Sequence, residues 1–229
     1  NVVNLGIETL ELGERISEIM HVPVHVENDV NAAAVGATEF VEHVDGNATV
    51  VFLNFGTGLA AGLVRDGQAE HGYSGCIGEI GHLPVDPNGF ACPCGQRGCL
   101  ETVASGRAVA KLWPSANPPM PDLIRKARQG DEHANDVLGK VAHGMGDVIQ
   151  IVAQAYDPQR IIIGGGMAKT GNDLIEIIQA ELSRRAEGCR FLNTLDIASK
   201  IRIAAVDKPI GAIGAALAAK RAQLGNQTM

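Results

Sequence analysis

Aromatic residues make up only 3% of the 229-residue chain, with a single tryptophan. A core therefore has to be built from Val, Ile, Leu and Ala, and hydrophobic residues at 45% supply enough of them for one large globular domain or two small ones. Basic charge is scarce. Nineteen Lys and Arg against 26 Asp and Glu leave a net charge of -7, so no direct nucleic-acid contact is expected from this chain. No apolar run approaches the ~20 residues of a membrane span. The opening stretch NVVNLGIETLELGERISEIM carries acids throughout and has no apolar block of the secretory type. The expectation is a cytoplasmic protein without membrane contact. The nucleotide signatures G-x-G-x-x-G and G-x4-G-K-[ST] are missing, which disfavours a Rossmann or P-loop site. Five cysteines cannot all pair, and three of them are clustered. Without a secretion signal, that favours a metal site in a reducing compartment over a disulfide framework. The chain opens on Asn rather than Met, as a fragment or a processed product does.

What is present alternates strand and helix patterns. VPVHV (22–26) reads as a short buried strand, followed by a helix in DVNAAAVGATEFV capped by Asn28 or Asp29. ATVVFLNF (48–55) and LAAGLVRDGQ (59–68) read as a hairpin, with a second turn at Asp66-Gly67. Residues 72–98, rich in Gly and Pro, read as irregular. Helical spacing follows at 101–112, 121–129 and 131–156. RIIIGGGMA is a strand entering a glycine turn, NDLIEIIQAELSRRA an amphipathic helix, KIRIAAV a last strand, and PIGAIGAALAAKRA a last helix opened by Pro209. The pattern predicts an α/β fold with ligands at the carboxyl ends of strands.

Four stretches carry possible chemistry. GEIGHLPVDPNGFACPCGQRGCLE (78–101) holds Cys92, Cys94 and Cys99 at C-x-C-x4-C, with His82 upstream. Three thiolates and one imidazole make a closed tetrahedral set for a structural zinc; the alternative is free thiols in a turn. Glu79 and Glu101 flank that loop, so a fixed loop would present both carboxylates. In VENDVN, Asp29 is either a helix cap or a carboxylate able to take a proton from a hydroxyl. In FGTG, Gly56, Thr57 and Gly58 form either a plain hairpin turn or a cradle for phosphate oxygens. In IIIGGG, Gly164, Gly165 and Gly166 would let a flat ligand approach the backbone.

Taken together, VENDVNAAA, NFGTGLAAGLV, GEIGHLPVDPNGFACPCGQRGCLETVASG and IIIGGG resemble, in that order, the ROK family of sugar kinases and sugar-responsive repressors. The resemblance runs from about Gly13 to Lys220. It implies a sugar-kinase/actin-like (ribonuclease H-like) fold and ATP-dependent phosphorylation of a hexose or N-acetylhexosamine. The alternative it leaves is the effector-binding part of a repressor. It further implies Asp29 as the catalytic base, with Asn28, Glu79, His82 and Glu101 on the sugar. His82, Cys92, Cys94 and Cys99 would hold zinc. Gly56, Thr57 and Gly58 would face the phosphates of ATP and its Mg2+, and Gly164 to Gly166 the adenosine. A homodimer is the assembly common in the family. The family's D-x-G-G-T turn has no counterpart here, and Ala60 stands where the family often has Gly. The chain is thus expected to be a fragment of the full enzyme. Residues 1–44 and 209–229 would be a remnant of the N-terminal lobe, and 45–208 the C-terminal lobe with its zinc-bound loop.

Overall fold

The computed structural model describes residues 10–42 and 44–227. Its centre is a five-stranded sheet: β1 (Thr49–Phe55), β2 (Leu59–Arg65), β3 (Gln68–Ala69), β4 (Arg160–Gly164) and β5 (Ile201–Ile203), in the order β3-β2-β1-β4-β5. β1 and β2 are antiparallel, from Thr49 opposite Arg65 to Phe55 opposite Leu59. β4 runs parallel to β1, with Asn54 opposite Gly164, and β5 runs parallel to β4. The expected hairpin is therefore present, and its Gly56–Gly58 turn lies at the same sheet end as the glycines after β4.

β1 is covered on both faces, and the period-2 alternation of a strand decides which residue goes where. Val51, Leu53 and Phe55 join Ile161 and Ile163 in the larger core cluster, with Leu123, Met145, Ile149 and Leu174 from the helices. Val50, Phe52, Val64 and Ile162 form the smaller cluster on the opposite face. The helices of the larger cluster are α3 (Glu101–Ala104), α4 (Gly106–Leu112), α5 (Pro119–Arg128), α6 (Glu132–Tyr156), α7 (Asn172–Ala186), α8 (Arg190–Leu195) and α9 (Ile197–Lys200).

The smaller cluster is closed by α2 (Asp29–Thr38) and α10 (Ile210–Gln227). These segments, which the resemblance assigns to the N-terminal lobe, meet each other and cover the sheet. Small residues make the crossing possible: a Cβ on Gly36 would stand 1.9 Å from the Ile210 carbonyl oxygen, and one on Gly214 1.7 Å from that of Ala32.

Three features depart from the sequence expectations. VPVHV is not a strand: residues 23–28 are unpaired coil, and Val22 and Val26 are each 50% exposed. Strand propensity without a neighbouring strand leaves the backbone no ladder to join. The single helix expected over 101–112 is broken at Ser105, whose φ of -93° and ψ of 160° are extended. Its buried hydroxyl accepts from the Ala108 amide and starts α4 afresh. The short helices α8 and α9, and α1 (Leu12–Met20), stand where the sequence reading placed no element.

α6 and α7 are joined by a nearly buried ion network. Glu181, 9% exposed, accepts from Arg184 Nη2 at 2.8 Å and from Arg185 Nε at 2.7 Å; Arg185 Nη1 also reaches Asp147 at 2.8 Å. The Arg184 hydrogen bond is the largest cause that holds the Glu181 carboxyl down from 4.5 to about 2, with Arg185 adding to it against burial. A carboxyl whose folded value is depressed stabilises the fold above its unfolded value and loses that contribution as pH falls. Urea titrations of the parent and of Glu181→Gln should therefore differ most near neutral pH, on the order of 2–3 kcal/mol. The gap should close between pH 4.5 and about 2.

Candidate functional site

One cavity of about 230 Å³ gathers the residues expected on the sugar: Asn28, Asp29, Glu79, His82 and Glu101 all line it. Each reaches it by a different route. Asn28 is the N-cap of α2; its side-chain oxygen accepts from the Val30 amide at 2.9 Å and the Asn31 amide at 3.2 Å. That choice between the two capping candidates leaves Asp29 in the first helical turn. Asp29 Oδ1 accepts from its neighbour's amide at 3.0 Å, and Oδ2 has no hydrogen bond among the described residues. Glu79 precedes and His82 ends a single 3-10 turn, Ile80–His82, pressed flat against β2. A Cβ on Gly78 would stand 1.9 Å from the Ala61 carbonyl oxygen, and one on Gly81 2.1 Å from that of Leu59. Glu101 opens α3, and its Oε2 accepts from the Leu59 amide at 3.1 Å. Gly58 makes room for it: a Cβ there would stand 2.7 Å from that oxygen.

A second cavity, about 450 Å³, lies on the other side of the same hairpin turn. Gly58 lines the first cavity, while Gly56 and Thr57 line the second. The turn is fixed from outside the hairpin. Gly56 and Thr57 offer their carbonyl oxygens to the amides of Gly106 and Arg107, at 2.7 and 3.3 Å. Of the three glycines at the end of β4, Gly166 lines this cavity. Gly164 and Gly165 are instead required by packing: a Cβ on Gly164 would meet the Phe52 ring at 2.2 Å, and one on Gly165 the Phe55 carbonyl carbon at 2.5 Å. The lining also includes Arg107, Asn117, Lys169 and Thr170, none of which the sequence marked. The SGR and MAKT stretches follow recognised motifs directly, and that adjacency was the available signal.

The four expected metal ligands converge. His82, Cys92, Cys94 and Cys99 offer one donor atom each, all within 4.8 Å of one another. The Cys92 sulfur lies 3.7 Å from His82 Nδ1, and the Cys94 and Cys99 sulfurs are 3.7 Å apart. Ligands at about 2.3 Å from a tetrahedral zinc stand about 3.8 Å apart, so the cluster fits that ion. The loop is built for the approach: the Cys92 amide donates to the Gln96 carbonyl oxygen at 2.9 Å, and Gly95 closes the turn at φ 96°. Hydrogen bonds from Gln96 bring the Cys94 thiol down to about 6. Burial, with the neighbouring Cys94 and Cys92, pushes Cys99 up to about 12. Three crowded sulfurs without a cation cannot all ionise; a dication lets them. Gln96 was missed in the sequence; its side-chain amide also reaches the His82 carbonyl oxygen at 3.0 Å. His82 belongs to both the donor cluster and the first cavity.

The ROK family sequence profile matches residues 1–222. The chain belongs to the ROK family. It is 32% identical to a glucokinase of Halalkalibacterium halodurans, over all of this chain and 74% of that protein. It is 29% identical to the DNA-binding transcriptional repressor Mlc of Escherichia coli, over 79% of this chain and 47% of the repressor. A Streptomyces griseus ROK glucokinase, solved with glucose and AMPPNP, superposes with a TM-score of 0.73 at 30% identity, over 92% of this chain and 72% of that one. The ROK chain thus has the mixed α/β, actin-like (ribonuclease H-like) fold of these sugar kinases. None of its described helices is long and apolar enough to cross a membrane.

Elemental analysis of this ROK protein, purified without added metal, should find about one equivalent of a thiolate-binding dication per chain. Cys76 and Cys189 lie outside the cluster, so Ser at either position should leave that content unchanged. Cys94→Ser or Cys99→Ser should abolish it; a metal-free parent with all four ligands reduced would contradict the assignment.

Proposed function

We propose that this chain carries the phosphoryl-transfer site of an ATP-dependent kinase for a hexose or N-acetylhexosamine. The observation that carries the reading is the pair of cavities meeting at one glycine turn. On one side stand side chains suited to sugar hydroxyls: three carboxylates, three asparagine amides and an imidazole. On the other stand backbone glycines, Thr57, Arg107 and Lys169, suited to a nucleotide's phosphates. A repressor's effector domain needs only the first cavity, so the second favours the kinase.

In this reading Asp29 takes the proton from the attacking hydroxyl through its free Oδ2. Glu79, Glu101, Asn28 and His82 hold the remaining hydroxyls and orient the ring. ATP with Mg2+ supplies the phosphoryl group, whose developing charge is stabilised mainly by fixed donors. His82, Cys92, Cys94 and Cys99 would hold zinc as four protein ligands, a set that is structural rather than catalytic. Held in this way, the loop would keep Glu79, His82 and Glu101 turned toward the sugar, and His82 would serve both the donor set and the sugar.

Asp29→Asn keeps the shape and removes the base. Turnover should fall by ~10²–10⁴-fold while sugar affinity, measured by calorimetry, stays within a few fold. Turnover equal to the parent's would reduce Asp29 to a residue of the helix start. Cys94→Ser, which touches no sugar, should weaken sugar affinity by ~10–100-fold in a protein whose circular dichroism is unchanged. Unchanged affinity in that folded, metal-free variant would separate the metal from the ligand site.

A further inference from the structure

Glu27 lies directly before Asn28 and Asp29 but does not line the cavity they face. Its side chain is only 5% exposed, an unusual place for a carboxylate. Oε1 accepts from the Asn28 amide at 2.8 Å and from Asn31 Nδ2 at 3.3 Å. His71 Nε2 sits 2.8 Å from Oε2 and 3.1 Å from Oε1. His25 Nε2 stands further off, at 3.8 Å. Burial works to raise the Glu27 carboxyl, but the hydrogen bonds from His71, Asn28 and Asn31 outweigh it and hold it below the ordinary value.

His71 begins the stretch that carries Gly75, Ile77 and Glu79 into the cavity wall. That stretch is anchored to β2 at both ends. The Glu70 amide donates to Leu63 at 2.8 Å, and the Gly78 carbonyl accepts from Ala61 at 2.7 Å. Between those anchors, among the described residues, the hydrogen bonds that leave the stretch are those from His71 to Glu27. Tyr73 within it is fully exposed, so packing holds it little.

We infer that Glu27 and His71 form a clip that joins the Asn28–Asn31 wall of the cavity to the Glu79 wall, and that both are positioning residues for ligand hydroxyls. Glu27 holds the backbone amide and Asn31 from below; His71 ties the facing segment to the same carboxylate. Neither touches the ligand. The role in sugar binding rests on the kinase reading, whereas the clip itself does not.

Two measurements separate them. Amide hydrogen exchange needs no ligand: His71→Ala should speed exchange at residues 28–31 and 72–79 together and leave residues 101–112 unchanged. His71 is half-exposed, so this variant should fold even if Glu27→Ala does not. Calorimetry then compares glucose, N-acetylglucosamine and N-acetylmannosamine with AMPPNP. A hydrogen bond to a charged group is lost, so the fitting sugar should bind about tenfold or more weakly to His71→Ala. His71→Gln, which restores a donor, should recover most of that loss, and AMPPNP affinity should stay level in both. Unchanged exchange in His71→Ala overturns the clip. Faster exchange with unchanged affinity for a sugar that the parent binds overturns the positioning role. A parent that binds none of the three sugars overturns the kinase reading, while the exchange result still decides the clip.

Discussion

The placement of both cavities depends on β1, hydrogen-bonded to β2 on one side and β4 on the other and covered on both faces. A strand so enclosed cannot slip by one residue without moving every side chain to the wrong face. Its end is therefore a fixed point, and the Gly56–Gly58 turn inherits that position. The turn then separates the two cavities, and α4 ties its carbonyl oxygens from outside. Gly164 and Gly165 follow from the same constraint, because β4 lies so close to β1 that a side chain at either position would strike Phe52 or the Phe55 backbone.

Asp29, Glu79 and Glu101 share a cavity of about 230 Å³, which sets an electrostatic problem. Part of the charge is answered by backbone donors: Val30 serves Asp29, and Leu59 serves Glu101. The remaining oxygens suit a ligand rich in hydroxyl donors and repel an anionic one. The cluster of His82, Cys92, Cys94 and Cys99 shows the complementary case. Its sulfurs crowd until one thiol is driven down and another up, a conflict that a dication would remove. His82 couples the two centres because it stands in both.

Much of this was legible in the chain. The C-x-C-x4-C spacing with His82, the carboxylates beside it, and the glycine turns at strand ends all rest on local sequence, and all reappear as local structure. Less was legible where the outcome depends on what lies opposite. VPVHV has the composition of a strand but no partner to pair with. The run 101–112 has helical spacing, yet Ser105 interrupts it because its hydroxyl offers a better start for α4. The roles of the three glycines at the end of β4 could not be told apart, since the Phe52 ring and the Phe55 backbone that distinguish them are more than a hundred positions away in the chain.

By itself the sequence determined the residue types of each site, the ligand spacing of the metal loop and the alternation that makes β1 a buried strand. Those depend on neighbours within a few positions, and backbone geometry converts such spacing directly into direction. Only the tertiary structure decided that Asn28 rather than Asp29 caps α2, that Gly166 rather than its neighbours opens on the second cavity, and that Glu27 meets His71. Each is a choice between groups of equal local promise. The cap is settled by which side-chain oxygen reaches the Val30 and Asn31 amides, and the other two by which atoms from distant segments arrive within about 3 Å, where a hydrogen bond forms or a side chain no longer fits.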